Sequence, residues 1–303
     1  MTARPRVVLV DRRPELDELV DRHSTRGQAE FFLRTRGRSL ADVQSAHDAE
    51  MAARHQVIAA VPPQWTVAEV DREDLSRFLF LPGDHVVVVG RDGLVANVAK
   101  YLDGQPVIGI APGGGLPPGA LVRCALRQGI DLVRSLEAGS ALAVDELTMV
   151  RADLDDGQSL IALNEVYIGH ASHQSARYAL AVGERSEEQS SSGLIVATGA
   201  GSTGWAASLA HDRGGRRLPA PTDDALSWFV REAWPSRWTG VELTDGTLED
   251  GADLHVRVQS DQLVAFGDGI ESDRLVASWG QEITVGIADR HLALAGPPSA
   301  SRG

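Results

Sequence analysis

One cysteine, Cys124, stands in 303 residues. That excludes an internal disulfide and a cysteine-based zinc site, and leaves a buried structural thiol as its expected role. Basic residues are also scarce: 29 Lys plus Arg face 42 Asp plus Glu, a formal net charge of −13. So acidic a chain lacks the broad basic face that nucleic acid or an anionic membrane surface requires. An anionic ligand would have to be held by helix ends and a few arginines. No apolar segment approaches bilayer-spanning length. Met1 runs into Val7-Val8-Leu9-Val10 without the apolar stretch and cleavage site of a secretory leader, so a cytoplasmic protein is expected. No Gly-x-Gly-x-x-Gly follows the first strand, which argues against a nicotinamide dehydrogenase. No Gly-x-Ser-x-Gly elbow suggests a hydrolase, and there is no internal repeat.

What is present is ordinary in bulk, with 43% hydrophobic and 23% charged residues, and long enough for two domains with separate cores. Residues 6–11 read as a buried strand. Residues 25–36 read as a helix, and 40–60 as another started by Ser39 as cap. Pro62-Pro63 ends it. The valine run 86–89 is a further strand, followed by a helix over 94–102 and a strand over 106–110. Strands alternating with helices point to a parallel sheet covered by helices.

The pattern changes at the Gly/Pro-rich stretch 112–119. Beyond about Ser140 strands dominate: 141–150, 159–168, 178–182, 194–198, 254–258, 263–266 and 283–287. The last-named runs of each alternating pair, Leu254/Val256/Val258 and Ile283/Val285/Ile287, have one buried face. Two packed sheets are expected, interrupted by one helix after Gly201. The expected division is an α/β domain over 1–138, an all-β, sandwich-like domain over 139–295 and a flexible tail over 296–303.

Three segments have the composition of ligand contacts. Gly90-Arg91-Asp92-Gly93 joins a buried strand to a helix start, with glycines that permit close backbone approach and a helix N-terminus that presents free N–H groups to phosphate. The carboxylate of Asp92 beside such a phosphate would suit phosphoryl transfer; alternatively it caps the helix. Asn164-Glu165 interrupts an otherwise apolar run. It offers donors and acceptors suited to a vicinal diol such as ribose, or forms a strand bulge or a satisfied buried pair. In Gly199-Ala200-Gly201-Ser202-Thr203-Gly204-Trp205 a strand enters a loop of small residues and a helix begins near Ser202-Thr203. A flat ring could approach that backbone and stack on Trp205, or the loop is a tight connection with hydroxyl caps. Arg213, Arg216 and Arg217 lie in a loop over 212–221 that reads as a solvated loop or a phosphate-gripping lid. His170 and His173 read as polar loop residues rather than metal ligands.

Taken in order, these strings resemble the NAD kinase superfamily: its Gly-Gly-Asp-Gly-Thr turn over 90–94, its Asn-Glu or Asn-Asp pair at Asn164-Glu165 and its Thr-Gly-Ser-Thr loop over 199–205. Asp268-Gly269 stands where that family often carries an Asp-Gly turn. The strings Asp92-Gly93-Leu94-Val95-Ala96-Asn97, Ser190-Ser191-Ser192-Gly193 and Arg231-Glu232-Ala233 resemble a bacterial NAD-kinase-like branch sometimes labelled sugar kinase. The resemblance implies an N-terminal nucleotide-binding domain, a β-rich acceptor-binding domain, ATP and Mg²⁺ as donor and metal, and a small-molecule nucleotide or sugar-like acceptor. It implies a homodimer or homotetramer, and the acidic balance argues against a nucleic-acid or membrane partner. Asp92 would be the general base or metal-organising carboxylate; Gly90, Arg91 and Gly93 would contact phosphate. Asn164 and Glu165 would hold the acceptor ribose, and Thr198, Gly201, Ser202, Thr203 and Trp205 would line the base pocket. The chain departs from the family at Arg91 for a glycine, Leu94 for a threonine, Gly199-Ala200 for Pro-Thr and Trp205 for a tyrosine. Ala111-Pro112-Gly113-Gly114-Gly115 replaces a segment with an Asn. These departures leave the acceptor open, and a non-catalytic nucleotide-binding protein of the same fold is the alternative.

Overall fold

Short apolar runs without alternation are strands buried on both faces, and in the computed structural model they build a parallel sheet. The structure describes residues 5–138 and 142–296. The chain divides into two units, residues 1–145 with 293–303, and residues 146–292. The first unit runs β1 (Arg6–Asp11), α1 (Glu15–His23), α2 (Arg26–Arg34), α3 (Leu40–Ala60), β2 (Thr66–Asp71), β3 (Asp84–Val89), α4 (Asp92–Ala99), β4 (Val107–Ala111), β5 (Cys124–Ala125) and α5 (Leu126–Ser135). The next strand, β6 (Val144–Leu147), leads into the second unit. That unit contains β7 (Val150–Leu154), β8 (Ser159–Ala162), β9 (Glu165–Gly169), β10 (Ala176–Val182), β11 (Arg185–Ser191), β12 (Leu194–Ala197) and α6 (Trp205–Asp212). It continues with β13 (Ala225–Val230), β14 (Asp245–Glu249), β15 (Leu254–Val258), β16 (Gln262–Gly267), β17 (Leu275–Ser278) and β18 (Glu282–Ile287), before β19 (Leu292–Ala295) returns to the first sheet.

In the first unit the strand order is β2-β1-β3-β4-β19-β6, with β5 also on β4. The pairs among β1 to β4 are parallel. Val7, Leu9, Val87, Val89, Ile108 and Ile110 form one face and bury Ala53 and Val57 of α3 and Val133 of α5. Helix α4, with Leu94 to Ala99 all buried, contacts β1 and β4. The Ser39 cap is present, its hydroxyl accepting from Ala41 N–H at 3.1 Å. Helix α1 escapes the sequence pattern because charge dominates it; Leu16 and Leu19 alone are buried, packed on Ala29, Leu33 and Val43. Cys124 is buried, as expected of a structural thiol. Past Gly296 the expected tail lies outside the described residues.

The second unit is two six-stranded antiparallel sheets, β11-β10-β15-β18-β7-β8 and β14-β13-β12-β9-β16-β17. Their inner faces share a core in which Leu180, Val256 and Ile283 of one meet Val166, Val196 and Trp228 of the other. The strand expected over 159–168 is two strands: β8 belongs to the first sheet and β9 to the second. The chain changes sheets at Leu163 and Asn164, so the polar pair marks a corner and not a bulge. The strand expected over 141–150 is likewise β6 and the start of β7, and its first residue lies outside the described residues. Among the described residues no helix is long and apolar enough to cross a membrane.

Candidate functional site

In the order β2-β1-β3-β4 the chain moves from β1 to one side for β2 and to the other for β3. Open parallel sheets bind ligands outside the carboxyl ends of their strands at such a reversal. Asp11 ends β1 there, and Gly90 follows β3. Helix α4 starts at once with Arg91 as its cap residue, without a side-chain capping bond. Asp92, the first helical residue, does not cap its own helix. Its carboxylate reaches a loop about thirty residues on, Oδ2 accepting from Ala120 N–H at 2.9 Å, and Oδ1 from Leu121 N–H at 3.1 Å and Val122 N–H at 2.7 Å. Glycines make that approach possible. A Cβ at Gly119 would stand 2.5 Å from both Asp92 oxygens, and one at Gly109 in β4 would stand 2.6 Å from the Leu121 carbonyl oxygen. An ionised carboxylate has about four lone-pair sites, so three amide bonds leave one, on Oδ2.

The neighbours of Asp92 differ in availability. Gly90 N–H donates to Ile110 O at 3.1 Å, so the sheet already uses its amide. Gly93 is exposed, and a Cβ there would meet nothing within 4 Å. Arg91 is exposed too, and its charge reaches Glu15 and Glu50. Glu15 is held below the usual carboxylate range, chiefly by its hydrogen bond with Arg38, whereas burial pushes Glu50 up.

In the second unit the sheet corner is tied by Asp268. Its backbone is left-handed, φ +52°, and its carboxylate accepts from Leu163 N–H at 2.9 Å and Asn164 N–H at 2.7 Å. Its own N–H donates to Glu165 O at 3.1 Å. Thr198 ties the corner from β12: its hydroxyl donates to Leu163 O at 2.6 Å and accepts from Ala200 N–H at 3.1 Å, and its N–H donates to Asn164 O at 2.9 Å. Thr198 is 1% exposed, so it is a buried strut rather than a pocket wall. The loop glycines also serve the chain itself. A Cβ at Gly201 would overlap the Asn164 carbonyl oxygen, and one at Gly199 the Ala220 carbonyl. At Gly199 and Gly201, smallness admits neighbouring backbone. Ser202 is half-buried and Thr203 exposed. Neither caps α6, whose cap residue is Gly204 without a side-chain bond. Trp205 is 37% exposed and stacks on Tyr167, with ring centroids 5.7 Å apart at 12°.

Glu165 carries the electrostatic strain of the corner. Burial, and then the Asp268 charge, push its carboxyl up to about 7. Such a group favours folding in its neutral form. Its contribution is complete below the ordinary carboxylate pKa and is lost as pH rises through about 7. Thermal melts of wild type and Glu165→Gln should coincide at about pH 4 and diverge by about pH 8, the variant melting higher. Parallel curves across that range would remove the perturbed carboxyl.

No protein-family model matches the chain. In structure it is similar to an NAD kinase from Archaeoglobus fulgidus in complex with ATP, with a TM-score of 0.59 and 17% identity over 97% of this chain and 94% of that one. It is also similar to a yeast NADH kinase complexed with NADH, TM-score 0.61 and 15% identity over 98% and 84% of the two chains. The fold is the one seen in these two kinase structures. Sequence agrees: an NAD kinase of Hyphomonas neptunium is 33% identical over 165 residues, 53% of this chain and 61% of that protein. An NAD kinase of Methylococcus capsulatus is 32% identical over 132 residues, 41% and 44% of the two. The matched stretches thus span less than two thirds of either relative.

Within this NAD-kinase fold, the second unit brings Asn164, Glu165, Thr198 and Gly201 into one hydrogen-bonded corner, while the first holds Gly90, Arg91, Asp92 and Gly93 at the sheet reversal. The histidine pair is loop structure: His170 Nδ1 accepts from Ser172 N–H at 3.1 Å, and His173 is exposed. Of the two readings of the arginine loop, the lid is not what is seen. Arg213 donates to Val230 O and Thr244 O, and Arg216 donates to Asp245 Oδ2 at 2.9 Å and to Thr247 Oγ1, which pins the loop to β13, β14 and the segment before β14. Sequence reasoning gave no role to the 119–122 loop, Tyr167 or Arg231, although Gly119 after Pro117-Pro118 and the string Arg231-Glu232-Ala233 were signals for the loop and for Arg231.

Proposed function

We propose that the chain is an NAD-kinase-like small-molecule kinase that moves the γ-phosphoryl group of ATP to a hydroxyl of a nucleoside, dinucleotide or sugar-like acceptor. The observation that carries this reading is Asp92: a carboxylate at the sheet reversal, fixed by three backbone amides, with one lone pair of Oδ2 left over. That lone pair suits a hydrogen bond from an acceptor hydroxyl. Phosphoryl transfer passes through a loose transition state in which positioning matters most, and a rigidly held carboxylate positions well. Removal of the hydroxyl proton by Asp92 would add about 10²–10⁴-fold. Gly93 leaves open space beside its backbone for phosphate. As the resemblance implies, Asn164 and Glu165 would contact the acceptor, and Ser202, Thr203 and Trp205 would flank it.

Among the described residues no group of three or more His, Cys, Asp or Glu is placed to hold a metal ion. A divalent ion would enter on the donor phosphates, as Mg²⁺ commonly does. No step is assigned to it.

The kinase reading draws support from the NAD kinase relatives, one of them complexed with ATP. Assembly as a homodimer or homotetramer belongs to the same proposal, and sedimentation would read it. A second reading, a nucleotide-binding protein without turnover, is favoured by the amide bonds that occupy Asp92 and by Arg91 and Leu94 in place of smaller residues. Incubation with γ-labelled ATP and a panel of NAD, NADH, nucleosides and sugars separates the two. Label transfer to any acceptor supports the kinase. ATP binding without transfer across the panel supports the binder, and no stabilisation by ATP, NAD or NADP at millimolar concentration sinks both.

A further inference from the structure

Two glycines clear the space for one ring. A Cβ at Gly169 would overlap the Tyr167 hydroxyl, and one at Gly193 would stand 2.6 Å from Tyr167 Cε2 and 2.8 Å from its hydroxyl. Neither position admits a larger residue while the ring lies there. Tyr167 is anchored by its hydroxyl, which donates to Ser192 O at 3.0 Å. Phe266 flanks it with ring centroids 5.0 Å apart, and Trp205 stacks on it.

Arg231 stands over the Trp205 ring, its guanidinium carbon 5.0 Å from the centroid. Its backbone is fixed on both sides, N–H to Gly193 O at 2.7 Å and carbonyl from Ser192 N–H at 2.9 Å. The next residue, Glu232, has φ +41°. That left-handed conformation is costly for a glutamate and turns the chain sharply after Arg231. The Arg231 side chain is only 27% exposed, and its nearest carboxylate, Glu232, is 3.6 Å away. Among the described residues its guanidinium donates no hydrogen bond. A fork of five N–H donors is thus held over an aromatic ring, ion-paired with Glu232 at 3.6 Å but with no hydrogen-bonded acceptor.

We infer that Arg231 is the oxyanion-binding residue of a platform formed by Tyr167 and Trp205, and that it selects ligands carrying a carboxylate or phosphate beside an aromatic ring. A guanidinium that lies over the Trp205 ring can still direct two N–H donors to an oxyanion as a bidentate pair. The exposed part of Trp205 offers the ring a surface. The inference rests on the kinase reading only in taking this ligand as the phosphoryl acceptor.

Isothermal titration of the full chain with two ligand pairs tests it: NAD against its nicotinic-acid analogue, and adenosine against AMP. The wild type is expected to bind the more anionic member of at least one pair about ten-fold tighter, as a charge-assisted hydrogen bond allows. Preference in the first pair identifies a ring carboxylate and in the second a phosphate. Arg231→Gln should abolish the preference while leaving affinity for the less charged member within about two-fold, and Arg231→Lys should restore part of it. A preference that survives Arg231→Gln overturns the inference, as does a wild type with no preference or no binding in either pair. Phosphoryl transfer from ATP to NAD that is indifferent to Arg231→Gln would sink the Arg231 assignment and leave the kinase. An Arg231-dependent preference without transfer to any of the four ligands would do the reverse.

Discussion

Asp92→Asn is expected to lose turnover and to loosen the 119–122 loop, by amounts that can be measured separately. Asp92 Oδ1 receives two amide N–H groups and Oδ2 one. An asparagine turned to keep its oxygen on the two-donor side sets its own NH₂ against Ala120 N–H. One charge-assisted bond is lost and a donor faces a donor, a cost of about 1–3 kcal/mol read from denaturant midpoints. If Asp92 also orients and deprotonates an acceptor hydroxyl, label transfer from ATP falls by about 10²–10⁴-fold. Gly119→Ala supplies the control. Its Cβ would stand 2.5 Å from both carboxylate oxygens, so it strains the same clamp without removing the carboxylate. Comparable destabilisation in the two variants, with turnover lost only in Asp92→Asn, assigns the chemistry to the carboxylate. Turnover lost by both in proportion to their destabilisation would make Asp92 a structural clamp and end its claim as a base.

The sequence exposed those parts of the molecule that local pattern determines. The valine run 86–89 and the alternations Leu254/Val256/Val258 and Ile283/Val285/Ile287 appear as β3, β15 and β18, because burial on two faces or one leaves a direct trace in residue order. Helix α1 and strands β11 and β14 left little trace, since few of their residues are fully buried, whereas β13 and β19 are buried throughout and were not read as strands either. The three motif segments were visible as interruptions of apolar runs. What they do depended on partners far along the chain, and no local pattern encodes those: Asp92 with the 119–122 loop, Asp268 with Leu163 and Asn164, Thr198 with Leu163. The loop glycines show the limit most plainly. Smallness at Gly199 and Gly201 reads the same whether a ligand or the chain's own backbone fills the space.

Gly201 and Gly93 therefore make opposing tests of what a motif glycine is for. A Cβ at Gly201 would overlap the Asn164 carbonyl oxygen and stand 2.9 Å from its carbonyl carbon. Both obstacles are backbone, and Asn164 is held from elsewhere by the Asp268 carboxylate and the Thr198 N–H. No side-chain rotation relieves the overlap. Gly201→Ala is expected to destabilise the protein by about 1–3 kcal/mol, as overpacking does. It should also weaken binding of any acceptor that uses Asn164 and Glu165, because the corner must move to admit the methyl group. At Gly93, in the first turn of α4, a Cβ meets nothing within 4 Å. Gly93→Ala should leave stability unchanged or raise it by about 0.5–1 kcal/mol, as alanine does in a helix. A loss of ATP affinity in that variant, with the fold as stable as before, would mark Gly93 as a position where phosphate approaches the backbone. Unchanged ATP affinity would remove Gly93 from the phosphate contacts and leave donor binding to other groups of the first unit.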